Sequence, residues 1–231
     1  MLVNKSKFLA VIPARGGSKT VPRKNIKMLG KLPLLTYSIN VAKDCSFIDH
    51  IVVSTDDVEI SAIAKSYGVD VIERPKKLSA DDSRTEDALL HALDYLEDKG
   101  MLFEYILVLE PTTPFRKKST IKNACIKIAS NKWPSILSVC ETTKVIGKIS
   151  NETFLPFFPN APRRRQERTS LYEECGAIYA CSVAYLRQNK TLASKEWGIV
   201  VVDKLEALDI NDEVDFAMVE GALKKFNGGE K

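Results

Sequence analysis

Short apolar runs alternate with stretches of helical spacing along most of the chain. FLAVI, at 8–12, is continuous enough for a strand buried on both faces. From 34 to 43 the apolar residues recur at helical spacing behind Pro33, a residue suited to a first helical turn. HIVVST (50–55) predicts a second strand; Asp56 and Asp57 then favour a helix start, and 58–67 supplies a helix closed by Gly68. VDVI (69–72) predicts a short third strand and 85–99 an amphipathic helix ending at Gly100. YILVLE (105–110) predicts a central fourth strand, 119–131 a helix, and SILSVC (135–140) a further strand. This alternation predicts an α/β sandwich around a mostly parallel sheet.

The pattern changes over 142–174, where short β-like pieces carry three prolines and the run Arg163-Arg164-Arg165. That stretch reads as an irregular, β-rich insertion. GAIYACS (176–182) and GIVVVD (198–203) return to the sheet, a last helix covers 213–226, and the final NGGEK is expected to fray. The expected organisation is a nucleotide-binding core over 1–141, the insertion over 142–174, and completion of the core over 175–231.

Composition narrows the partners. With 231 residues, 45% of them apolar and 28% charged, the chain suits one large domain, or a domain and a small appendage, with a real core. A formal net charge of +4 is too mild to imply nucleic-acid binding, but local basic clusters suit an anionic small molecule. No apolar run approaches the length of a membrane span. The opening MLVNKSKFLAVIPA is basic and then briefly apolar, and reads as a first strand rather than a signal peptide. Cys45, Cys125, Cys140, Cys175 and Cys181 form no CxxC and no Cys/His cluster, which fits reduced cytoplasmic thiols and no zinc site.

In an open parallel sheet, ligands bind beyond the carboxyl ends of the strands. Three loops lie at such ends. In ARGGSKTVPRKN (14–25), Gly16 and Gly17 let backbone N–H groups approach an anion, and Ser18 adds a hydroxyl. Arg15, Lys19, Arg23 and Lys24 can neutralise a polyphosphate. The loop is neither GxxxxGK[ST] nor GxGxxG, and a solvated basic turn is the alternative. In LEPTTPFR (109–116) two prolines fix a corner at which Glu110 can face the cleft or water. In ALDINDEVDF (207–216), Asp209 suits Mg²⁺ shared with substrate phosphates, while Asn211 or Asp212 can cap the helix that follows. RRRQ (163–166) is a basic turn by default and a carboxylate site if it reaches the cleft. His50 and His91 have no Ser or Cys partner in the pattern, so nucleophilic catalysis has no support.

These stretches resemble, in order over nearly the whole chain, the acylneuraminate cytidylyltransferase family, which makes CMP-activated sialic acid and its relatives. IPARGGSKTVPRKN is similar to IPARGGSKGIPRKN, and LEPTTPFR to LQPTSPLR. RRQ…GAIY is similar to RRQ…NGAIY, and DINDEVDF to DIDTEED; VSTDD and RPKKLSADDSRTEDALLHAL also have counterparts. The resemblance implies a Rossmann-like nucleotidyltransferase fold and a homodimer formed through the insertion. It implies Mg²⁺, CTP, and a nine-carbon 2-keto-3-deoxy sugar acid, sialic acid or a legionaminic or pseudaminic relative. The anomeric hydroxyl would attack the α-phosphate directly and release pyrophosphate, with no covalent enzyme intermediate. An octulosonate or other sugar nucleotidyltransferase, or a non-catalytic nucleotide-binding homologue, is the alternative.

Carried over, Arg15, Ser18, Lys24 and Asn25, with Gly16 in the same loop, would hold the phosphates and ribose of CTP. Arg74 would sit on the nucleotide side, Arg165 would pair with the sugar carboxylate, and Gln166 and Tyr179 would line the sugar pocket. Arg15, Lys24 and Asp209 form the expected catalytic set, and Asp209 and Asn211 the expected metal pair. Four positions depart from the family pattern: Thr20 for glycine, Glu110 for a sugar-facing glutamine, Cys175 for asparagine, and Asn211 for an acid. A carboxylate cannot donate as an amide can, so Glu110 bears on sugar preference. An amide at 211 can ligate a metal but brings no charge, a loss that Asp212 or Glu213 could offset.

Overall fold

The structure is a computed structural model that describes residues 7–80 and 82–227. All of the NGGEK tail after Asn227 lies outside the described residues. In chain order the elements begin with β1 (Phe8–Pro13), β2 (Met28–Leu29), β3 (Leu32–Pro33), α1 (Leu34–Lys43), β4 (His50–Thr55), α2 (Val58–Ser66) and β5 (Asp70–Glu73). They continue with α3 (Thr85–Glu97), β6 (Tyr105–Val108), α4 (Lys118–Ala129) and β7 (Ser135–Thr142). A hairpin of β8 (Gly147–Ser150) and β9 (Thr153–Pro156) precedes β10 (Leu171–Ser182), α5 (Val183–Asn189), β11 (Gly198–Val202) and α6 (Glu213–Asn227).

One sheet organises these elements, in the order β11-β7-β10-β6-β1-β4-β5. β1 lies parallel to β4 and β6, β4 to β5, and β7 to β11, whereas β10 runs antiparallel to both β6 and β7. Alternation along β1 builds both layers, because successive side chains leave opposite faces. Phe8, Ala10 and Ile12 pack with Leu35, Ile39 and Ile121 on one side. Leu9 and Val11 pack with Leu89, Leu93 and Leu96 on the other.

Local chemistry sets the helix ends. Asp57 caps α2 by accepting the N–H groups of Glu59 and Ile60. Gly68 and Gly100 follow α2 and α3 with φ of +71° and +77°, the left-handed turn that ends many helices. Pro33 stands one place before the turn expected of it: at ψ 141° it is the last extended residue before α1. The ladder of β6 ends at Val108, so Glu110 lies beyond the strand, at the carboxyl end of the sheet.

β10 crosses from the 142–174 stretch into the core. Leu171 to Cys175 pair with Thr142 to Ser138, and a register shift between Cys175 and Tyr179 separates them from the second paired segment. Such an irregularity bends a strand and re-aims its residues. Here it turns Cys175 and Gly176 toward Glu110. The β8–β9 hairpin and the loop after it leave Ile149, Phe154, Phe157 and Phe158 exposed. All five cysteines are buried and free. Among the described residues no helix is long and apolar enough to cross a membrane.

Candidate active site

Three loops meet beyond the carboxyl ends of β1 and β6. The loop after β1 borders a cleft of about 540 Å³ that Arg15, Ser18, Lys19, Lys24 and Arg74 share with Glu110. Gly16 serves a different end from the one expected. A Cβ on Gly16 would lie 2.6 Å from Asp57 Oδ2, so only glycine fits against the start of α2. The Gly16 N–H donates to Asp56 Oδ1 at 3.0 Å, so a carboxylate holds the donor that the sequence offered to an anion. Arg23, in a left-handed turn at φ 56°, pairs with Asp57 and Glu59. It therefore leaves the set of cations facing the phosphate cleft.

The other residues of this loop lace it to the acidic loop before α6. Lys24 Nζ donates to the Ile210 carbonyl at 2.8 Å, and the Thr20 hydroxyl donates to the Asn211 carbonyl. Thr20 thereby gains a structural reason: a glycine there would drop this tie. Burial pushes the Lys24 ammonium down, while Asp209 and Glu110 counter the shift. Asn25 spends its amide N–H on the Arg15 carbonyl at 2.9 Å, which fixes the loop from within. Ile210 N–H reaches the Thr112 carbonyl at 3.0 Å and joins the acidic loop to the corner after β6. Arg74 is buried against Ser54, donating to its Oγ at 3.2 Å and its carbonyl at 2.8 Å. Burial lowers its affinity for a proton, and the nearby Asp56 partly restores it.

A second cleft of about 550 Å³ opens on the far side of Glu110, lined by Glu174, Tyr179, Asp209, Asn211 and Asp215. Asp209 Oδ2 accepts the Asn211 amide at 3.3 Å, and its Oδ1 is buried with no partner among the described residues. The neighbouring acids are engaged elsewhere. Asp212 Oδ1 caps α6 through Val214 N and Asp215 N, and Asp215 Oδ2 holds the N–H groups of Asn211 and Asp212. Glu213 pairs with Lys27 at 2.6 Å. Asp212 and Glu213 thus do not make up for the missing acid at 211. Among the described residues no group of three His, Cys, Asp or Glu side chains is placed to hold a metal.

Arg165 and Gln166 are not brought to this cleft. Arg165 opens on an outer cavity of about 390 Å³ with Lys144 and Lys204, which adjoins the acidic cleft along Glu173, Ala207 and Leu208. Gln166 lies farther out, beside Arg168 and Ser170. Tyr179 does line the acidic cleft, and its hydroxyl donates to Glu174 Oε1 at 2.8 Å. Burial raises the Tyr179 phenol well above its ordinary range.

The sequence reading passed over Arg116, the last residue of LEPTTPFR. It is 4% exposed. Its guanidinium donates to the Ala177 carbonyl, to Ser38 Oγ at 2.9 Å, to the Glu110 carbonyl at 2.8 Å and to Thr113 Oγ1 at 2.6 Å. Burial brings it down to about 10, so it stays charged at neutral pH. An arginine inside a motif of prolines and threonines was the available signal; its burial is a tertiary fact.

Glu110 sits where the two clefts meet. Burial, and next the charge of Asp209, push its carboxyl up to about 7. Gly176 approaches so closely that an added Cβ would lie 3.1 Å from Glu110 Oε2. A folded-state value above the unfolded one means that stability is fully present below the ordinary carboxyl range and is lost as pH rises through about 7. Glu110→Gln should therefore gain on the parent by about 2–3 kcal/mol between pH 4 and pH 8. Urea unfolding at the two pH values without metal measures this. An equal gap at both would mean a solvated carboxyl.

Known proteins resemble this chain in sequence and in fold. Residues 9–178 match the family model described as Cytidylyltransferase. The chain is 31% identical to an N-acylneuraminate cytidylyltransferase of Escherichia coli O18:K1:H7, over 96% of this chain and 54% of that one. It therefore spans about half the length of that relative. It is also 31% identical to a CMP-N,N'-diacetyllegionaminic acid synthase of Legionella pneumophila, over 94% of this chain and 97% of the other. A CMP:2-keto-3-deoxy-manno-octonic acid synthetase complexed with CTP superposes with a TM-score of 0.73 at 15% identity, covering 95% of this chain and 99% of that one. At that identity the likeness is one of fold. With the family model covering most of the chain and relatives matching it nearly end to end, the chain belongs to the cytidylyltransferase family, a family of nucleotidyltransferases.

Proposed function

We propose that the protein transfers CMP from CTP to a nonulosonic acid, giving the CMP-sugar and pyrophosphate. The observation that carries this reading is the junction at Glu110, where a cationic cleft meets an acidic one beside Asp209 and Lys24. The relatives named for N-acylneuraminate and diacetyllegionaminic acid support the sugar class.

In this reading Arg15, Ser18 and Lys24 bind the triphosphate, Arg74 bounds the nucleotide side, and Tyr179 borders the sugar. Asn25 acts by holding the Arg15 backbone in place. Arg165 and Gln166 would meet the sugar at its outer end, toward the outer cavities. The anomeric oxygen bonds to the α-phosphorus, the bond to the bridging oxygen breaks, pyrophosphate leaves, and the hydroxyl proton passes to water. Catalysis then rests on positioning and charge rather than on a protein nucleophile. The orphaned Oδ1 of Asp209 fits Mg²⁺, with Asn211 able to turn its amide oxygen toward the ion. Bound there, Mg²⁺ would offset the charge on the phosphates.

The exposed phenylalanines of the β8–β9 region support a homodimer, since apolar surface of this kind marks association. Five free buried thiols support a cytoplasmic setting. The test is pyrophosphate release with Mg²⁺, supplying CTP, GTP, UTP or ATP in turn with a panel of nonulosonic and octulosonic acids. Release with CTP and a nonulosonic acid is expected. Silence across the panel would overturn the reading, and preference for an octulosonic acid would move it to that substrate.

A further inference from the structure

The loop after β1 and the loop before α6 are built as one unit. Val21 and Ile210, both fully buried, share an apolar cluster with Leu34 and Phe216. Thr20 precedes the first of them and Asn211 follows the second. At this seam the Thr20 hydroxyl donates to the Asn211 carbonyl. Lys24 Nζ donates to the Ile210 carbonyl at 2.8 Å and lies 3.5 Å from that of Asn211. Thr20 and Asn211 are two of the four positions that depart from the family pattern, and here they are partners.

Asn211 passes the contact on. Its N–H goes to Asp215 Oδ2 at 2.8 Å and its carbonyl to Thr20, so its backbone is held from both sides. Its side-chain amide then meets Asp209 Oδ2 at 3.3 Å, while Asp209 Oδ1 stays open to an ion. An amide at 211 adds no charge, so a cation depends the more on where Asp209 is placed.

Lys24 is a poor tether for this purpose. It borders the phosphate cleft, so a bound triphosphate competes for its ammonium protons. The Thr20 hydroxyl is short and neutral, and phosphate charge draws on it less. Thr20 borders the same cleft, so direct contact with phosphate is its competing role.

We propose that Thr20 is a positioning residue that couples the two loops: by holding Asn211 beside Asp209, it makes CTP and Mg²⁺ bind more tightly together than apart. The inference rests on the CTP and Mg²⁺ binding argued above. Such coupling is reciprocal, so it can be read from the CTP side alone.

Calorimetry measures the Kd of CTP without sugar, once in EDTA and once in saturating Mg²⁺. The ratio of the first value to the second is compared among the parent, Thr20→Val, Thr20→Ser and Asp209→Ala. Valine keeps the shape of threonine and drops the hydroxyl, whereas serine keeps the hydroxyl. Asp209→Ala should lower the ratio roughly tenfold or more, and Thr20→Val about fivefold, with the EDTA value of Thr20→Val within about twofold of the parent. Thr20→Ser should hold the parent ratio.

A parent ratio in Thr20→Val overturns the proposal, and a lowered melting temperature beside it would make the hydroxyl merely structural. Equal loss of affinity in both buffers also overturns it and makes Thr20 a phosphate contact. A parent ratio in Asp209→Ala places the metal elsewhere and overturns the inference. Each of these leaves CTP binding standing. No CTP binding in either buffer overturns the proposed function, and this inference with it.

Discussion

Asp209→Ala is expected to lower kcat by roughly 10²–10³-fold while the protein stays folded, on the scale of losing one strong electrostatic contact to the reacting group. The reason lies in what Asp209 touches. Among the described residues its Oδ2 takes one hydrogen bond, from the Asn211 amide at 3.3 Å, and its Oδ1 takes none. The side chain thus contributes little to holding the acidic loop. That loop is fastened by Lys24, by Thr20 and by the Ile210 to Thr112 backbone bond. Removing Asp209 also removes a charge that holds the Glu110 carboxyl up, so stability near neutral pH should not fall. The measurements are turnover by pyrophosphate release and a thermal unfolding curve of the same preparation. Near-normal turnover would place the metal elsewhere. Lost turnover with a collapsed unfolding curve would make Asp209 a structural residue.

Arg116→Met is expected to cost about 3–5 kcal/mol of stability, the range for removing one member of a buried charged network. Methionine fills similar space but takes the guanidinium away from the Ala177 carbonyl and the Ser38 and Thr113 hydroxyls, and leaves the Glu110 carbonyl with only the weaker donors of Ser38 and Thr113. Arg116→Lys should restore only part of the loss, because one ammonium cannot reproduce a planar fork that reaches four acceptors. Denaturant unfolding measures both variants. A loss below about 1 kcal/mol for methionine would show that water replaces the guanidinium at those acceptors.

Arg116 also shows where sequence reading stopped. Its motif was recognised, and the corner after β6 was correctly expected at the carboxyl end of a central strand. The residue that anchors the corner was overlooked because a charged side chain is exposed by default. Nothing local marks one that Ser38 and Ala177, 78 and 61 positions away, will help to bury. The phosphate loop taught the same lesson residue by residue. Its density of cations predicted an anion cleft, yet Arg23 turned to Asp57, and Gly16 proved to be a matter of space beside α2. Thr20 stood as a departure from the family pattern until Asn211, 191 positions away, supplied its partner.

The alternation of apolar runs and helical spacing was enough to indicate the layers, the cores of the seven sheet strands and every α-helix but α5, because burial on one or both faces imposes a period that short windows reveal; the two-residue strands β2 and β3 and the first half of β10 carry no such period. Collinear motifs were enough to indicate the family. Direction and assembly needed the folded chain. That β10 runs against its neighbours and bends at Cys175, that Glu110 lies between two clefts, and that Arg165 opens on a third all depend on contacts between distant segments. Periodicity carries no record of such contacts. The charge of a residue is written in the sequence, but its solvation and its partner are properties of the packed molecule. The acidic cleft therefore became visible only in the structure.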